Sequence, residues 1–263
     1  MTRLFQQYIS TIPQTTADYW SFAIIGRVRR PLILSFDDLR QFPSETLRCA
    51  VACAATSRGH PLIGEALWRG VPLRALLDEV TIADAARFAC IHAADRYTTV
   101  LPLDQLVGTL LVYEMDGEPL SPRHGFPARL IAPGLHGYKM PKWIERIELT
   151  DTADGGFWES RGWPLDGAAG IKAAILSHEQ NDDGSIALSG IAYAGSRAIT
   201  SLEVSIDYGD PMPVPFSQDD TFTLTHWQTR WTPPGIGDYR IAVCVYAAGS
   251  RAPADHSVIV KVR

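Results

Sequence analysis

Two of the four cysteines, Cys49 and Cys53, share the stretch LRCAVACAATSRGHPLIG, residues 47–64. A thiolate is a soft metal ligand and a nucleophile, so the pair asks for metal, redox or nucleophilic chemistry. Leu47, Cys49, Val51 and Cys53 alternate, which in a strand places all four on one face. Cys53 lies where that strand gives way to an Ala/Ser/Gly loop. A thiol at a strand tip can reach a ligand, whereas one in mid-strand packs as a small hydrophobe. On this reading Cys49, Cys90 and Cys244 are interior and Cys53 is the functional candidate. A zinc site needs further ligands at set spacing, and the sequence has no Cys-x-x-Cys and no His-x-x-x-His. A redox disulfide is more often Cys-x-x-Cys than Cys-x-x-x-Cys.

A second stretch, PLSPRHGFPARLIAPGLHGYKMPKWI (119–144), holds Arg123, His124, Arg129, His136, Lys139 and Lys142 and no acidic residue. In a chain with 29 acidic residues, a window of that length lacks them by chance about one time in twenty. Glycines let a backbone approach an anion closely, and Arg and Lys neutralise it. Composition alone leaves two readings open, an anion cradle and a solvated basic loop.

Around these residues, 21–28, 31–35, 46–53, 86–94, 97–103, 110–115, 128–133 and 143–150 read as strands. Ser35 starts a short helix with Asp37 and Asp38 in its first turn, and Pro43 ends it. Leu73, Leu76, Leu77 and Val80 have helical spacing. Asp116-Gly117 marks a turn. Beyond about residue 165 the pattern is nearly all strand, at 171–177, 185–194, 199–207, 221–231, 237–248 and 256–262, with turn residues between. We therefore expect a mixed α+β domain over 1–164 and an antiparallel β-sandwich over 165–263, linked by RGWPLDGAAG.

The totals remove other classes. A net charge of −5 gives no global field for nucleic acid or acidic lipid. No apolar run approaches the roughly 18–20 residues that span a bilayer. The first twenty residues lack an export pattern, so the expected compartment is the cytoplasm, or the periplasm had a signal been removed. Four cysteines in 263 residues make no disulfide framework.

A soft thiolate joined to an anion cradle suits the pyranopterin dithiolene that carries molybdenum, which ends in a phosphate and whose metal takes sulfur ligands. Here the residues carry a resemblance. LIGEALWRGVPLRALLDEV, LLVYEMDGEPLSPRHGFPARLIAPGLHGYKMPKWIERIEL and GFWESRGW are similar to the sulfite-oxidase-type molybdenum cofactor oxidoreductases, as is FQQYISTIPQTTADYWSFAIIGRVRRPLILSFDDLRQFP upstream. GIAYAGSRAITSLEVSIDYG and HWQTRW resemble that family's immunoglobulin-like dimerisation domain.

The resemblance implies a molybdenum-pyranopterin cofactor, one per chain, and two-electron oxygen-atom transfer on a small-molecule substrate. It implies an external electron acceptor or donor and a homodimer. By the family's spacing from the helix-ending proline and from LIG, Cys53 rather than Cys49 is the metal ligand. His124 and Arg129, of the HGFPxR pattern, are implied in pterin binding. Lys142, before Trp143, is implied in phosphate binding, with Lys139 in the same turn. Asp95 matches an aspartate that hydrogen-bonds the pterin; read from the residues alone, it is equally a turn cap.

Two departures bear on the substrate. Ala54-Ala55-Thr56-Ser57-Arg58 stands where the sulfite oxidases have a Gly-Asn-Arg-Arg type of segment, and Tyr8-Ile9-Ser10-Thr11 replaces an Arg-Asn-His segment. Sulfite is therefore not assured as substrate, and Arg58 is the residue that could restore one cationic contact. Two rival readings stand beside the enzyme: a binding or assembly module that has lost the metal, and a zinc hydrolase built on Cys49, Cys53 and a histidine.

Overall fold

In the computed structural model, residues 4–57, 60–248, 250–251 and 256–263 are described. The chain forms two compact units, Met1–Val51 with Glu65–Ala168, and Ala52–Gly64 with Ala169–Arg263. Along the first part run β1 (Ser21–Gly26), β2 (Leu32–Ser35), α1 (Phe36–Gln41), β3 (Glu45–Ser57), β4 (His60–Pro72), α2 (Leu73–Leu77), β5 (Phe88–Ala93), β6 (Thr98–Pro102), α3 (Leu103–Val107), β7 (Leu110–Met115), β8 (Glu118–Pro119), β9 (Arg129–Ile131) and β10 (Ile144–Thr150). Strand dominates. The helices are one or two turns long, shorter than the mixed pattern of the sequence leads one to expect. Ser35 does cap α1, with a reciprocal bond to Asp38. The helix expected over 71–80 is cut to α2 because Gly70, Val71 and Pro72 pair instead with Val112, Leu111 and Leu110 of β7.

One sheet has the order β2-β1-β10-β5-β6, with β1 and β10 parallel and the other pairs antiparallel. A second has the order β3-β4-β7-β8, with β9 also on β7. Phe22, Ile24, Leu39, Leu73, Leu76, Ile91, Leu101 and Ile147 form the centre of one core. Strand β4 was not expected, because its sequence, HPLIGEALWRGVP, holds two prolines and two glycines that read as breakers. Gly70 marks a register shift against β7. An added Cβ there would lie 2.3 Å from the Leu111 carbonyl oxygen and 2.4 Å from Val112 Cα. The close approach of β4 to β7 thus needs glycine.

The later part comprises β11 (Lys172–Gln180), β12 (Ile186–Tyr193), β13 (Ile199–Ile206), β14 (Met212–Pro213), β15 (Phe216–Ser217), β16 (Thr225–Trp231), β17 (Gly237–Ala247), β18 (Ser250–Arg251) and β19 (His256–Val262). Two antiparallel sheets, β11-β12-β16-β15 and β14-β13-β17-β18 with β19 on β17, share a core that includes Ile175, Leu188, Trp227, Leu202, Val243 and Val260. Among the described residues no helix is long and apolar enough to cross a membrane.

Gly70→Ala tests the strand contact that aligns β7, and through it β9. Forcing a methyl into it is expected to cost about 3 kcal/mol, read by urea unfolding.

Candidate functional site

The acid-free stretch folds into a sequence of tight turns. A 3-10 turn at Pro122–His124 ends on Gly125, at φ 109°. An added Cβ at Gly125 would lie 3.0 Å from Lys142 Cβ and 3.1 Å from Arg129 Cβ. Glycine therefore lets this turn close on the two cations. Strand β9 then starts at Arg129, which pairs with Val112 of β7 on one side and forms an isolated antiparallel bridge with Lys142 on the other. A second 3-10 turn at Gly137–Lys139 leads into Met140, Pro141 and Lys142. Trp143 follows at φ 54°, rare for a bulky residue, and is held by its indole N–H donating to the Pro122 carbonyl at 2.8 Å.

Arg129 is 5% exposed. Its two terminal nitrogens donate to the carbonyls of His124 and Met140, each at 3.2 Å, and its guanidinium lies 5.2 Å from the centre of the Trp68 ring. Its Nε is buried without an acceptor among the described residues. Burial pushes the guanidinium pKa down to about 10. The Lys142 ammonium donates to the carbonyls of Gln7 at 2.7 Å and Arg123 at 3.3 Å, and lies 4.6 Å from the Trp143 ring and 5.1 Å from that of Tyr8. Burial first, then the charge of Arg129, hold its pKa down to about 7, against an opposing pull from Asp95. Neither cation donates to a carboxylate among the described residues. Leaving a buried cation without a counter-ion costs on the order of 3 kcal/mol. Arg129 is such a group, with an unused donor, and the half-buried Lys142 beside it adds a second cation; together they fit a phosphate-like anion.

The other expected residues divide. The His124 ring meets the Ser121 hydroxyl at 3.0 Å through Nδ1, and its carbonyl serves Arg129. Asp95 is buried, and its Oδ1 accepts from Tyr97 N at 3.0 Å around Arg96 at φ 68°, which is the turn-capping role. Burial raises its carboxyl pKa, while Lys142 pulls the other way. Lys139 is not brought to the two cations. It is fully buried and ion-pairs with Glu159, and its ammonium donates to the Val100 carbonyl at 2.6 Å.

Cys49 is buried as expected and Cys53 is half-buried. Cys53 lies in the segment Ala52–Gly64, grouped with the second unit, where the sequence reading placed it in the first. Arg58 and the side chain of His60 lie outside the described residues. Among the described residues no group of three His, Cys, Asp or Glu could hold a metal ion, which gives the zinc-hydrolase reading no support. Gln7 and Ser10 were missed. Gln7 acts through its backbone, and Ser10 donates to the Asp95 carbonyl at 3.3 Å, so no side-chain motif announces either.

Residues 9–158 match the family described as the oxidoreductase molybdopterin binding domain. The chain belongs to that family. Among curated relatives it is 33% identical over 150 residues to the uncharacterized oxidoreductase YuiH of Bacillus subtilis, covering 56% of this chain and 74% of that protein. It is 32% identical over 177 residues to nitrate reductase [NADH] 1 of Nicotiana tabacum, covering 56% of this chain but only 20% of the reductase. Among solved structures, the sulfane dehydrogenase SoxCD from Paracoccus pantotrophus matches with a TM-score of 0.84 at 23% identity, over 96% of this chain and 73% of that one. That likeness extends the shared fold across both units. Family membership makes the chain an oxidoreductase and implies a molybdenum cofactor.

The Lys142 pKa gives a signed test. An anion favours the protonated ammonium, so its affinity is full below about pH 7 and falls as pH rises through that value. Sulfate, a dianion throughout, is expected to bind roughly tenfold more weakly at about pH 8.5 than at about pH 6 by titration calorimetry. Lys142→Met should bind weakly at both and flatten the profile.

Proposed function

We propose that the chain is a molybdenum-cofactor-dependent oxidoreductase that catalyses two-electron oxygen-atom transfer on a small substrate, with one pyranopterin-bound metal per chain. The observation that carries this reading is the adjacent pair of a buried Arg129 and a half-buried Lys142, neither of which donates to a carboxylate among the described residues, the arrangement a phosphate terminus would neutralise. The group itself would supply the redox couple and the oxygen-transfer chemistry.

The chain's part is binding and orientation. Arg129 and Lys142 would hold the phosphate, with the glycine turn at Gly125 letting them approach it together. His124 would contribute beside Arg129. Asp95, retained in the neighbourhood of Lys142, would bond the pterin through the carboxylate oxygen that the turn leaves over. The Trp68 face and the Trp143 ring supply flat apolar walls against the two cations. Cys53 would be the metal ligand, a role that rests on its spacing and on its partial exposure.

The identity of the substrate follows from none of these contacts. The chain spans about a fifth of the plant nitrate reductases it matches, so nitrate, like sulfite or a sulfane sulfur, is a substrate to assay. Electrons would pass to or from a separate acceptor or donor. The second unit we read as an immunoglobulin-like sandwich that joins two copies of the chain, a reading supported by its paired antiparallel sheets.

Metal analysis after expression in a cofactor-competent host is expected to give about one molybdenum per chain, with pterin fluorescence on denaturation. Molybdenum absent under those conditions would favour the non-catalytic module. Cys53→Ser is expected to abolish turnover with the fold intact, and Cys49→Ser to be much milder; equal losses would refute the choice of ligand. Arg129→Ala is expected to lower molybdenum content, and unchanged content would remove Arg129 from the site.

A further inference from the structure

Lys139 resembles Lys142 in sequence context, yet the structure gives it a different set of partners. Its ammonium pairs with Glu159 and donates to the Val100 carbonyl at 2.6 Å. Glu159 Oε1 also accepts from the Val100 amide at 3.2 Å and the Thr99 hydroxyl at 2.6 Å. The two charged groups therefore clasp both peptide groups of one residue on β6. The site fits them closely. An added Cβ at Gly167, at φ 59°, would lie 2.4 Å from Lys139 Cγ, and one at Gly156 would lie 2.1 Å from Glu159 Oε2. Tyr97 donates its hydroxyl to the Tyr138 carbonyl at 2.6 Å, fixing the residue next to Lys139 as well.

The segment so anchored runs straight into the two cations. Met140 offers its carbonyl to Arg129, Pro141 offers its own to Leu130 N at 3.0 Å, and Lys142 follows. We propose that Lys139 and Glu159 are positioning residues for the Arg129–Lys142 pair, setting the direction of the Met140 carbonyl and the placement of Lys142. This inference rests on the reading of that pair as an anion site. It assigns Lys139 to the support of the site and removes it from contact with the ligand.

A buried ion pair is weak evidence of stabilisation, since apolar residues of similar volume often replace one at little cost. That property separates positioning from plain stability. The double variant Lys139→Met/Glu159→Leu, in the full chain, also leaves the Val100 peptide groups and the Thr99 hydroxyl without these partners, and is expected to fold with a melting temperature lowered by about 10 °C. It should bind sulfate at least tenfold more weakly. The midpoint of its sulfate pH profile should rise toward an ordinary lysine, and the amides of Met140 and Lys142 should exchange faster.

Glu159→Gln keeps the shape while removing the charge, and is expected to weaken sulfate binding in the same direction. Parent-like affinity, midpoint and exchange in a folded variant would overturn the proposal, as would affinity that falls only in step with melting temperature. Failure of the parent, freed of cofactor, to bind sulfate would refute the anion site itself. Amide exchange would then still decide whether the clasp orders residues 140–142.

Discussion

A guanidinium sealed from water, with no carboxylate among the described residues to answer it, is the constraint around which the first unit is arranged. Arg129 is held by carbonyls that arrive from before it, at His124, and after it, at Met140. A carbonyl orients a cation but does not cancel its charge. Lys142, pinned alongside by the backbone bridge, adds a second positive charge to the same volume. Proteins bury a charge without a partner only at considerable cost. The surrounding architecture, from the glycine that brings the turn close to the positive φ of Trp143, maintains that costly arrangement.

The two lysines of the 139–142 segment show how burial and partners decide chemistry. Lys139 and Lys142 are three residues apart in the chain. Lys139 is compensated by Glu159 and anchored to β6, whereas the Lys142 ammonium donates to backbone carbonyls and lies over aromatic faces, with Asp95 acting on it only through space. The first arrangement is complete as it stands. The second retains a requirement that an incoming ligand would meet.

Much of this was legible in the sequence. The alternation of Leu47, Cys49, Val51 and Cys53 marked a strand, and Cys49 is interior. The cap at Ser35, the turn at Asp116-Gly117 and the strand pattern after residue 165 were equally readable, because each depends on neighbours close in the chain. Strand β4 was not, since its glycines and prolines are tolerated only through a partner 40 or so residues away, at the bulge against β7. The partner of Lys139 could not be read either. Glu159 lies twenty residues on, in a turn whose approach depends on Gly156 and Gly167. Composition showed that the stretch 119–144 was cationic, but not which of its cations would be neutralised internally.

Gln7 reaches the Lys142 ammonium with its main-chain oxygen alone. Such a contact is indifferent to the identity of the side chain that residue 7 carries. Mutation can rewrite that position while the peptide group goes on doing the same work. A portion of this protein's working surface is therefore encoded in the path of the chain, and a comparison of residue letters will undervalue it.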